Sequence, residues 1–386
     1  MNQTRSNRVR SRRKRRRSKW IRMGQNTLVF SLLAVIAAGL YFAVDSFTKN
    51  GRNTDDHASH PATDHVDPPE EPTVALTFVG DVMMSGNVEK RLLEKGFDFP
   101  FEHVRSLFLQ DDYTIANLET PITLRGTPSE NKEFVYKSSP EAIPAMKEAG
   151  IDAVNLANNH SMDQGVEGLL DTFSALDPHQ IAYVGAGKDA KRAYAPVYVE
   201  KKGIRIALLG FSRVIPQVSW YAGKDQPGLA ATYDPALAVQ AIQAAKKEAD
   251  LVIVIAHWGK EKVDFPVDYQ QALARTYIDA GADLIVGGHP HVLQGFEQYR
   301  GKWVAYSMGN FIFTRAVEPK TWDSMVLQAN CTKTGDCRLK MLPYYAELGQ
   351  AVPMNDHDGA ALLKRIESIS ENVQIEGDGT VHAKKE

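Results

Sequence analysis

Three absences limit what this 386-residue chain can be. It has only two cysteines and no Cys-x-x-Cys pair, the spacing typical of structural zinc sites. It has no Gly-x-x-x-x-Gly-Lys-Ser/Thr loop, since Asp189 follows Gly187-Lys188 in the stretch most similar to one, so this common ATP-binding loop is excluded. Residues 1–22 contain no acid, although the chain has 47 Asp and Glu. The charge is therefore divided unevenly along the chain.

This division indicates a basic tail joined to an acidic body. Because the whole chain is −2 and residues 1–22 are +11, the remainder carries −13, which argues against nucleic-acid binding by the body. The next stretch, 28–44, is uncharged, and residues 24–44 are long enough to cross a bilayer. The positive-inside rule then predicts a single-pass protein of the cell membrane, with a cytoplasmic N-terminus and an extracellular main domain.

A cleaved secretory signal is the alternative interpretation of the apolar run. The apolar core of a signal peptide has about 7–15 residues and ends at a small-x-small site. Here the run is longer, Tyr41 and Phe42 stand at its exit, and no clean Ala-x-Ala follows. We therefore favour an uncleaved anchor, and both interpretations place the body outside the cytoplasm.

Composition and pattern divide the chain into five regions. They are a basic cytoplasmic tail, a transmembrane anchor, a flexible polar stalk, a main domain and an accessory C-terminal hairpin and helix, at residues 1–23, 24–44, 45–73, 74–316 and 317–386. In the last region Cys331 and Cys337 lie on either side of a five-residue turn-like insert. The arms of a hairpin would bring them to bridging distance, and an oxidising compartment would join them. Two free thiols are the alternative.

The main domain alternates apolar runs with helical stretches, which predicts an α/β fold. Residues 251–256 are apolar throughout, as strands covered on both faces are. Helices are expected at 140–150, 234–248 and 269–280, the first and last ending at glycine. We therefore predict a largely parallel or mixed central sheet. Ligands of such sheets bind beyond the carboxyl ends of the strands.

Polar side chains follow these predicted strands at five places. Those with metal-binding groups are Asp81, Glu119, Asn159, His257, His289 and His291. Oxygen ligands suit Mg or Mn and imidazole suits Zn or Fe, so the mixed set can hold two divalent ions if one carboxylate bridges them. The identity of the metal among Mn, Zn, Fe and Mg stays open.

Each of these residues also has an ordinary interpretation. Asp81 could cap a helix or form a turn, Glu119 could be a surface acid, and Asn159 could belong to a turn. His257 could be a buried core histidine, and a lone His-x-His is more often a surface loop. Because all of them stand at strand ends that should share one edge of a sheet, the metal site is the interpretation we favour.

The same residues lie in motifs that resemble a known family. In chain order these motifs are Gly80-Asp81, Asn117-Leu118-Glu119, Asn158-Asn159-His160, Ala256-His257-Trp258 and Gly288-His289-Pro290-His291. Their order is that of the calcineurin-like metallophosphoesterases. Over about residues 74–315 the chain resembles more closely the CapA-type proteins of poly-γ-glutamate capsule biosynthesis within that superfamily. The resemblance implies a metallophosphoesterase-like, layered α/β/β/α body on a single N-terminal transmembrane helix.

The resemblance also implies a role for each site residue. Asp81 and His291 would hold a first ion, and Glu119 would bridge. A second ion would be held by Asn159, His257 and His289. The catalytic residue would be His160, which would donate a proton to a leaving oxygen or stabilise the charge of the transition state.

Two positions depart from the superfamily pattern. Met83 stands where a histidine ligand is usual, and thioether is a poor ligand for hard ions. Ser161 stands where an acid usually follows the histidine at position 160, with Asp163 two residues further on. The first departure removes a usual ligand of the first ion, and the second removes the acid that usually follows the catalytic histidine.

The resemblance implies a membrane-anchored, extracytoplasmic component of poly-γ-glutamate biosynthesis. It would stabilise the synthase and aid elongation or export of the polymer. Its partners would be other membrane subunits of the synthase, the polymer and the membrane itself, with no nucleic acid. A metal-dependent hydrolase of a phosphoester or of the polymer is the alternative, and a structural subunit with a relic site is a third hypothesis.

Overall fold

The computed structural model describes residues 71–130 and 132–384. Its strands are β1 Thr73–Val82, β2 Tyr113–Leu118, β3 Ile151–Asn155, β4 Ala182–Val184, β5 Ala186–Gly187, β6 Val197–Lys201, β7 Ile204–Ser212, β8 Gly228–Leu229, β9 Leu251–His257, β10 Leu284–Gly288, β11 Phe296–Tyr299, β12 Lys302–Ala305, β13 Asn310–Ile312, β14 Asp323–Thr332, β15 Cys337–Glu347, β16 Gln350–Pro353, β17 Val373–Ile375 and β18 Thr380–Ala383. Its helices are α1 Asn87–Lys95, α2 Arg105–Phe108, α3 Ala142–Ala149, α4 Gly165–Leu176, α5 Ala190–Ala193, α6 Ala236–Glu248, α7 Asp268–Ala280 and α8 Asp356–Ser368.

The predicted membrane segment falls outside these ranges. The basic tail, the anchor at 24–44 and residues 45–70 of the stalk all precede the first described residue. Within the two described ranges, every helix is too short or too polar to cross a bilayer.

The helices begin and end close to the predicted signals. α3 and α7 end at Gly150 and Gly281, whose φ angles of 104° and 118° lie in the left-handed region that glycine adopts without strain. Before α6, the side chain of Asp234 accepts a hydrogen bond from the N–H of Ala236 at 2.9 Å. Local sequence chemistry therefore determines these helix ends.

Most strands belong to two mixed sheets. The first has the order β17-β18-β15-β14-β1-β2-β3-β4, with β13 also paired to β1 and β16 to β15. The second has the order β11-β12-β10-β9-β7-β6, and β5 pairs separately with β8. The strands β1 to β4 are parallel, as are β7, β9, β10 and β12, while the flanking strands are antiparallel.

Alternating side chains pack the two sheets face to face. In β9, Leu251 and Ile253 lie in the same apolar core as Phe78 of β1, so this core fills the space between the sheets. Val252 and Val254 face the other way and pack with residues of α6 and α7. A third core joins the outer face of the first sheet to α1, α3 and α4. The layers are therefore helix, sheet, sheet, helix.

The mixed α/β fold is as predicted, and the order of layers is the one that the resemblance implied, whereas the single central sheet expected from the apolar runs is wrong. A strand that is apolar on both faces is covered on both faces, whether by a helix or by another sheet. The apolar side chains of β9 are covered by the first sheet on one face and by helices on the other. Residue pattern alone does not distinguish these two covers.

The C-terminal region continues the first sheet. β14 pairs antiparallel with β1 over the register Thr73↔Thr332 to Val79↔Val326, and β15 pairs with β14. Cys331 stands directly opposite Cys337 and forms a disulfide with it. The region that we separated as an accessory hairpin and helix thus shares its sheet with β1, the strand that carries the first site residue.

Candidate metal centre

The site lies where the parallel strands of both sheets end. Asp81 is the penultimate residue of β1. It is in register with Asn117 of β2 on one side and with Asn310 of β13 on the other. In the second sheet, His257 ends β9 in register with Gly288, which ends β10. The carboxyl ends of the strands therefore bring the predicted side chains to one edge, as the strand pattern indicated.

The turn after β10 has an unusual backbone at both of its histidines. His289 and His291 have φ angles of 97° and 56°, in a region that L-residues other than glycine rarely adopt. Before them, Gly287 lies so close to β12 and its neighbours that a Cβ there would be 2.1 Å from the backbone oxygen of Tyr306. Strained side-chain-bearing residues of this kind are concentrated at functional sites.

Two carboxylates and three histidines form the centre of the site. Oε1 of Glu119 lies 3.7 Å from Nε2 of His257 and 3.9 Å from Nε2 of His291. Oδ2 of Asp81 lies 3.3 Å from Nδ1 of His291. Two groups have ligand atoms within 4.8 Å of one another, Asp81 with Glu119 and His257, and Glu119 with His289 and His291.

Glu119 belongs to both groups, the position that the resemblance assigned to a bridging carboxylate. Asp81 lies close to His257 within one group and also contacts His291. The rings of His257 and His289 are 5.0 Å apart, so every ligand pair named from the sequence is in close proximity. The six residues named from the sequence are therefore gathered at one place.

Three buried atoms of this centre indicate a cation. Within the described ranges, Oδ2 of Asp81, Oε1 of Glu119 and Nδ1 of His289 are buried and have no hydrogen-bond partner. Buried polar atoms without a partner are rare in folded proteins because each loses its hydration without compensation. All three atoms can donate an electron pair, and divalent ions held by the two ligand groups would satisfy them. The residues therefore fit a metal ion.

The protonation states suit metal binding. Burial lowers the pKa of His257 to about 3 and that of His289 well below its usual range, so both are neutral imidazoles, the form that coordinates metal. Burial opposes ionisation of Asp81, but its contact with His291 and the charge of that ring outweigh burial and lower the pKa of Asp81. Burial, together with the charge of Asp81, raises the pKa of Glu119 well above its usual range. A bound cation would attract the ionised carboxylate of Glu119 and so lower its pKa again.

Asparagines that the sequence analysis left without a role orient the ligands. Nδ2 of Asn117 donates to Oδ1 of Asp81 at 2.8 Å, and Oδ1 of Asn117 accepts from Asn155 at 3.0 Å and from Asn158 at 3.2 Å. Oδ1 of Asn310 lies 2.9 Å from Nδ1 of His291. Asn117 and Asn155 lie in the last two residues of β2 and β3, which was a signal in the sequence, whereas Asn310 begins β13.

Asn159 lies beside His257. Its Oδ1 is 2.7 Å from Nε2 of His257, the same nitrogen that faces Glu119. Met83, where the superfamily has a histidine, is buried, and its sulfur accepts a hydrogen bond from the N–H of Ser85 at 3.3 Å. It offers no oxygen or nitrogen ligand to the centre.

His160 is held by an acid and a lysine. Its Nδ1 lies 2.7 Å from Oδ2 of Asp163 and 2.8 Å from Nζ of Lys132. Lys132 also donates to Asp163 and, at 2.5 Å, to the backbone oxygen of Asn159. Asp163 thus takes the place of the acid that is missing at Ser161, whereas Lys132 lies in an irregular stretch and had no signal in the sequence. Burial lowers the pKa of His160, and the contact with Asp163 opposes this only in part.

The motifs and the geometry can now be compared with known proteins. The family described as bacterial capsule synthesis protein PGA_cap matches residues 75–315. The chain belongs to this family. The resemblance found in the motifs is confirmed, and the matched range of the PGA_cap family contains all six predicted metal ligands and His160.

Two relatives of this PGA_cap protein cover most of its length. The PGA biosynthesis protein CapA of Bacillus subtilis (strain 168) is 38% identical over 284 residues, 72% of this chain and 73% of the relative. The capsule biosynthesis protein CapA of Bacillus anthracis is 36% identical over 292 residues, 74% of this chain and 70% of the relative. Among solved structures, the NAD nucleotidase of Haemophilus influenzae is similar with a TM-score of 0.44 at 14% identity, over 80% of this chain and 66% of that one.

Proposed function

We propose that this protein is a component of poly-γ-glutamate capsule synthesis. The observation that carries the proposal is the family match over residues 75–315, the range that holds the whole candidate site. The names of two relatives, both matched over about seven-tenths of their length, support it. Since the chain has no ATP-binding loop of the usual kind, another subunit activates the glutamate, and this protein acts on the polymer or on the synthase.

The proposed place of action is the outer face of the cell membrane. Residues 24–44 would anchor the chain, residues 1–23 would lie in the cytoplasm, and the body would be outside, beside the other membrane subunits of the synthase. The charge step across the apolar run supports this orientation. The disulfide between Cys331 and Cys337 is compatible with an oxidising compartment.

The proposed cofactor is one or two divalent metal ions, with Mn, Zn, Fe and Mg as candidates. The ligands would be the six residues named from the sequence, with Glu119 shared between the two groups. When bound, such ions supply positive charge and can polarise an oxygen of the ligand. That charge matters here because a body of −13 would otherwise repel an anionic polymer.

A metal-dependent hydrolase is the second candidate function. The observation that favours it is the contact of His160 with Asp163, since a histidine oriented by a carboxylate is suited to proton transfer. Both Asp163 and Lys132 contact the same ring nitrogen, Nδ1, so the other nitrogen, Nε2, is the one that would face a substrate. On this alternative, His160→Ala would abolish release of product from a phosphoester or from the polymer while leaving the metal content unchanged.

Complementation tests the proposal. In cells lacking their own copy, the full-length chain should restore polymer production, whereas His257→Ala and His289→Ala should lose both bound metal and polymer. His103→Ala is the matched control, because His103 is exposed and belongs to neither ligand group. Failure of the wild-type chain to restore the polymer would contradict the proposed function. Normal polymer yield from metal-free variants would contradict a metal-dependent role.

A further inference from the structure

An arginine beside the metal centre has no acidic partner. Arg213 follows the last residue of β7, Ser212, which is in register with His257, and its N–H donates to the backbone oxygen of His257 at 2.9 Å. Its side chain is half-buried, and across residues 71–130 and 132–384 its guanidinium forms neither an ion pair nor a hydrogen bond. Arg213 is therefore a cation at the ligand edge of the second sheet without a direct acidic partner among the described residues.

Two tyrosines fix the position of this guanidinium. Its central carbon lies 4.0 Å from the ring centroid of Tyr233 and 5.2 Å from that of Tyr269. The hydroxyl of Tyr233 donates to the backbone oxygen of Ile215 at 3.1 Å, and that of Tyr269 donates to the backbone oxygen of Gly259 at 2.7 Å. These aromatic contacts hold the guanidinium by cation–π attraction and, within the described residues, leave its N–H groups without a hydrogen-bond acceptor. This is a preorganised donor set for a planar anion.

Aromatic side chains connect Arg213 to the other cation of the site. Tyr221 stacks on Tyr233 with 5.6 Å between ring centroids, and the preceding residue, Trp220, has Nζ of Lys132 at 5.5 Å from its ring. We call Arg213, Tyr233, Tyr221, Trp220 and Lys132 the cation strip. It leads from Arg213, next to His257, to Lys132, which contacts His160.

The two ends of the cation strip differ in their charge balance. At the Lys132 end is a cavity of about 550 Å³, but Lys132 is already paired with Asp163, and the exposed Glu130 also lines this cavity. Arg213 has no such partner in the described part of the chain. An anion would therefore gain most from contact with Arg213, whose fork of N–H groups matches the two oxygens of a carboxylate.

We propose that the cation strip is a carboxylate-binding subsite for the glutamate polymer, with Arg213 as its principal contact. This inference rests on the proposed function, since it names the group of the polymer that the site would recognise. One free carboxylate per residue is what a γ-linked glutamate chain presents. Contact with Arg213 would hold the chain against the edge of the metal centre, despite the acidic charge of the body.

Binding of a short, fluorescent γ-linked glutamate oligomer to the full-length protein tests the subsite. Arg213→Gln should weaken binding at least tenfold, since a charge-assisted bidentate contact is worth one to two factors of ten. The affinity of Arg213→Lys should lie between those of the wild type and of Arg213→Gln, because lysine keeps the charge but loses the forked pair of N–H groups. The matched control is Arg205→Gln, which removes an arginine that lies 4.7 Å from the ring of Tyr198 at the other end of β7. It should bind as the wild type does.

Competitors identify the anion. A γ-linked glutamate oligomer whose α-carboxylates are all converted to carboxamides should not displace the probe, and inorganic phosphate at equal concentration should not either. Displacement by phosphate that is lost in Arg213→Gln would assign the subsite to phosphate and overturn the carboxylate proposal. Unchanged affinity of Arg213→Gln, an equal loss in Arg205→Gln, or no binding by the wild type would overturn it as well.

Two further measurements separate this proposal from the others. Thermal unfolding and metal content should be the same in Arg213→Gln and the wild type, so that lost affinity reflects the subsite and not the fold. Capsule complementation by the histidine variants tests the proposed function independently. Restored polymer together with unchanged oligomer affinity in Arg213→Gln would remove the subsite and leave the function standing.

Discussion

Replacing Glu119 by glutamine should stabilise the metal-free protein and greatly reduce the stabilisation that metal provides. The Glu119 carboxyl is fully buried, has one oxygen without a hydrogen-bond partner among the described residues, and belongs to the same ligand group as the Asp81 carboxylate. Without a cation, the wild type must either bury two carboxylates together or keep Glu119 protonated. Glutamine has nearly the same shape and no charge, so it removes this cost.

The expected magnitudes follow from burial and from linkage. An uncompensated buried polar or charged group costs about 1–3 kcal/mol, so metal-free Glu119→Gln should be more stable than the metal-free wild type by about that amount. For a protein of this size, this is a rise of about 2–6 °C in the unfolding temperature. A metal ion at 100 times its dissociation constant should stabilise the wild type by about 2.7 kcal/mol. Glu119→Gln should gain much less, since it lacks the carboxylate shared by both ligand groups.

The assay is thermal unfolding of the full-length protein after chelation, before and after addition of Mn²⁺, with metal content measured in parallel. Glu94→Gln, which changes an exposed acid, is the control and should behave as the wild type. The metal-free wild type should also lose stability as the pH rises, because the pKa of Glu119 is raised by burial and by Asp81. The reasoning is refuted if metal-free Glu119→Gln unfolds at a lower temperature than the metal-free wild type. Equal stabilisation of both proteins by Mn²⁺ would refute it too.

Three other substitutions test the packing, the lysine contact and a titration. Gly287→Ala should cost more than about 3 kcal/mol in a urea titration, because its Cβ would lie 2.1 Å from a backbone oxygen, whereas Gly377→Ala, in open space, should stay within about 0.5 kcal/mol. Asp163→Ala should cost about 3–5 kcal/mol by leaving Lys132 unpaired, and adding Lys132→Met should recover part of this; strictly additive costs in the double-mutant cycle would contradict the pairing. Burial raises the pKa of Asp111 to about 6. The wild type should therefore lose stability as the pH rises from about 4 to about 6, whereas Asp111→Asn should not. At neutral pH the two proteins should differ by about 1 kcal/mol in the free energy of unfolding, after allowance for solvent screening. Parallel stability profiles of the two proteins across this range would contradict that assignment.

The clustering of the candidate ligands was predictable because it depends on a local rule. Each candidate ligand lies within a few residues of the end of an apolar run, and the carboxyl ends of parallel strands share one edge. Asp81, His257 and His289 could therefore be placed together although more than 170 residues separate the first from the second. The cysteine pair was predictable for a similar reason, since a six-residue separation across a turn leaves little choice of partner.

Residues outside these runs could not be placed in the same way. Lys132 lies in an irregular segment, and only the folded chain brings it to His160 and Asp163. The aromatic rings around Arg213 come from separate segments, with Tyr233 before α6 and Tyr269 in α7. No spacing rule relates such positions, because their separation along the chain does not determine their separation in space.

By itself the sequence determined the strand ends, the chemical identity of the ligands and the family of this protein, because these depend on residues that are near neighbours or stand in a fixed order. The tertiary structure decided the rest. It made two sheets where the apolar runs predicted one, and it inserted β14 beside β1. It also gave Asp163 the place of the acid that is absent at Ser161. These outcomes depend on which distant surfaces pack together, and that is a property of the whole folded chain and not of any one segment.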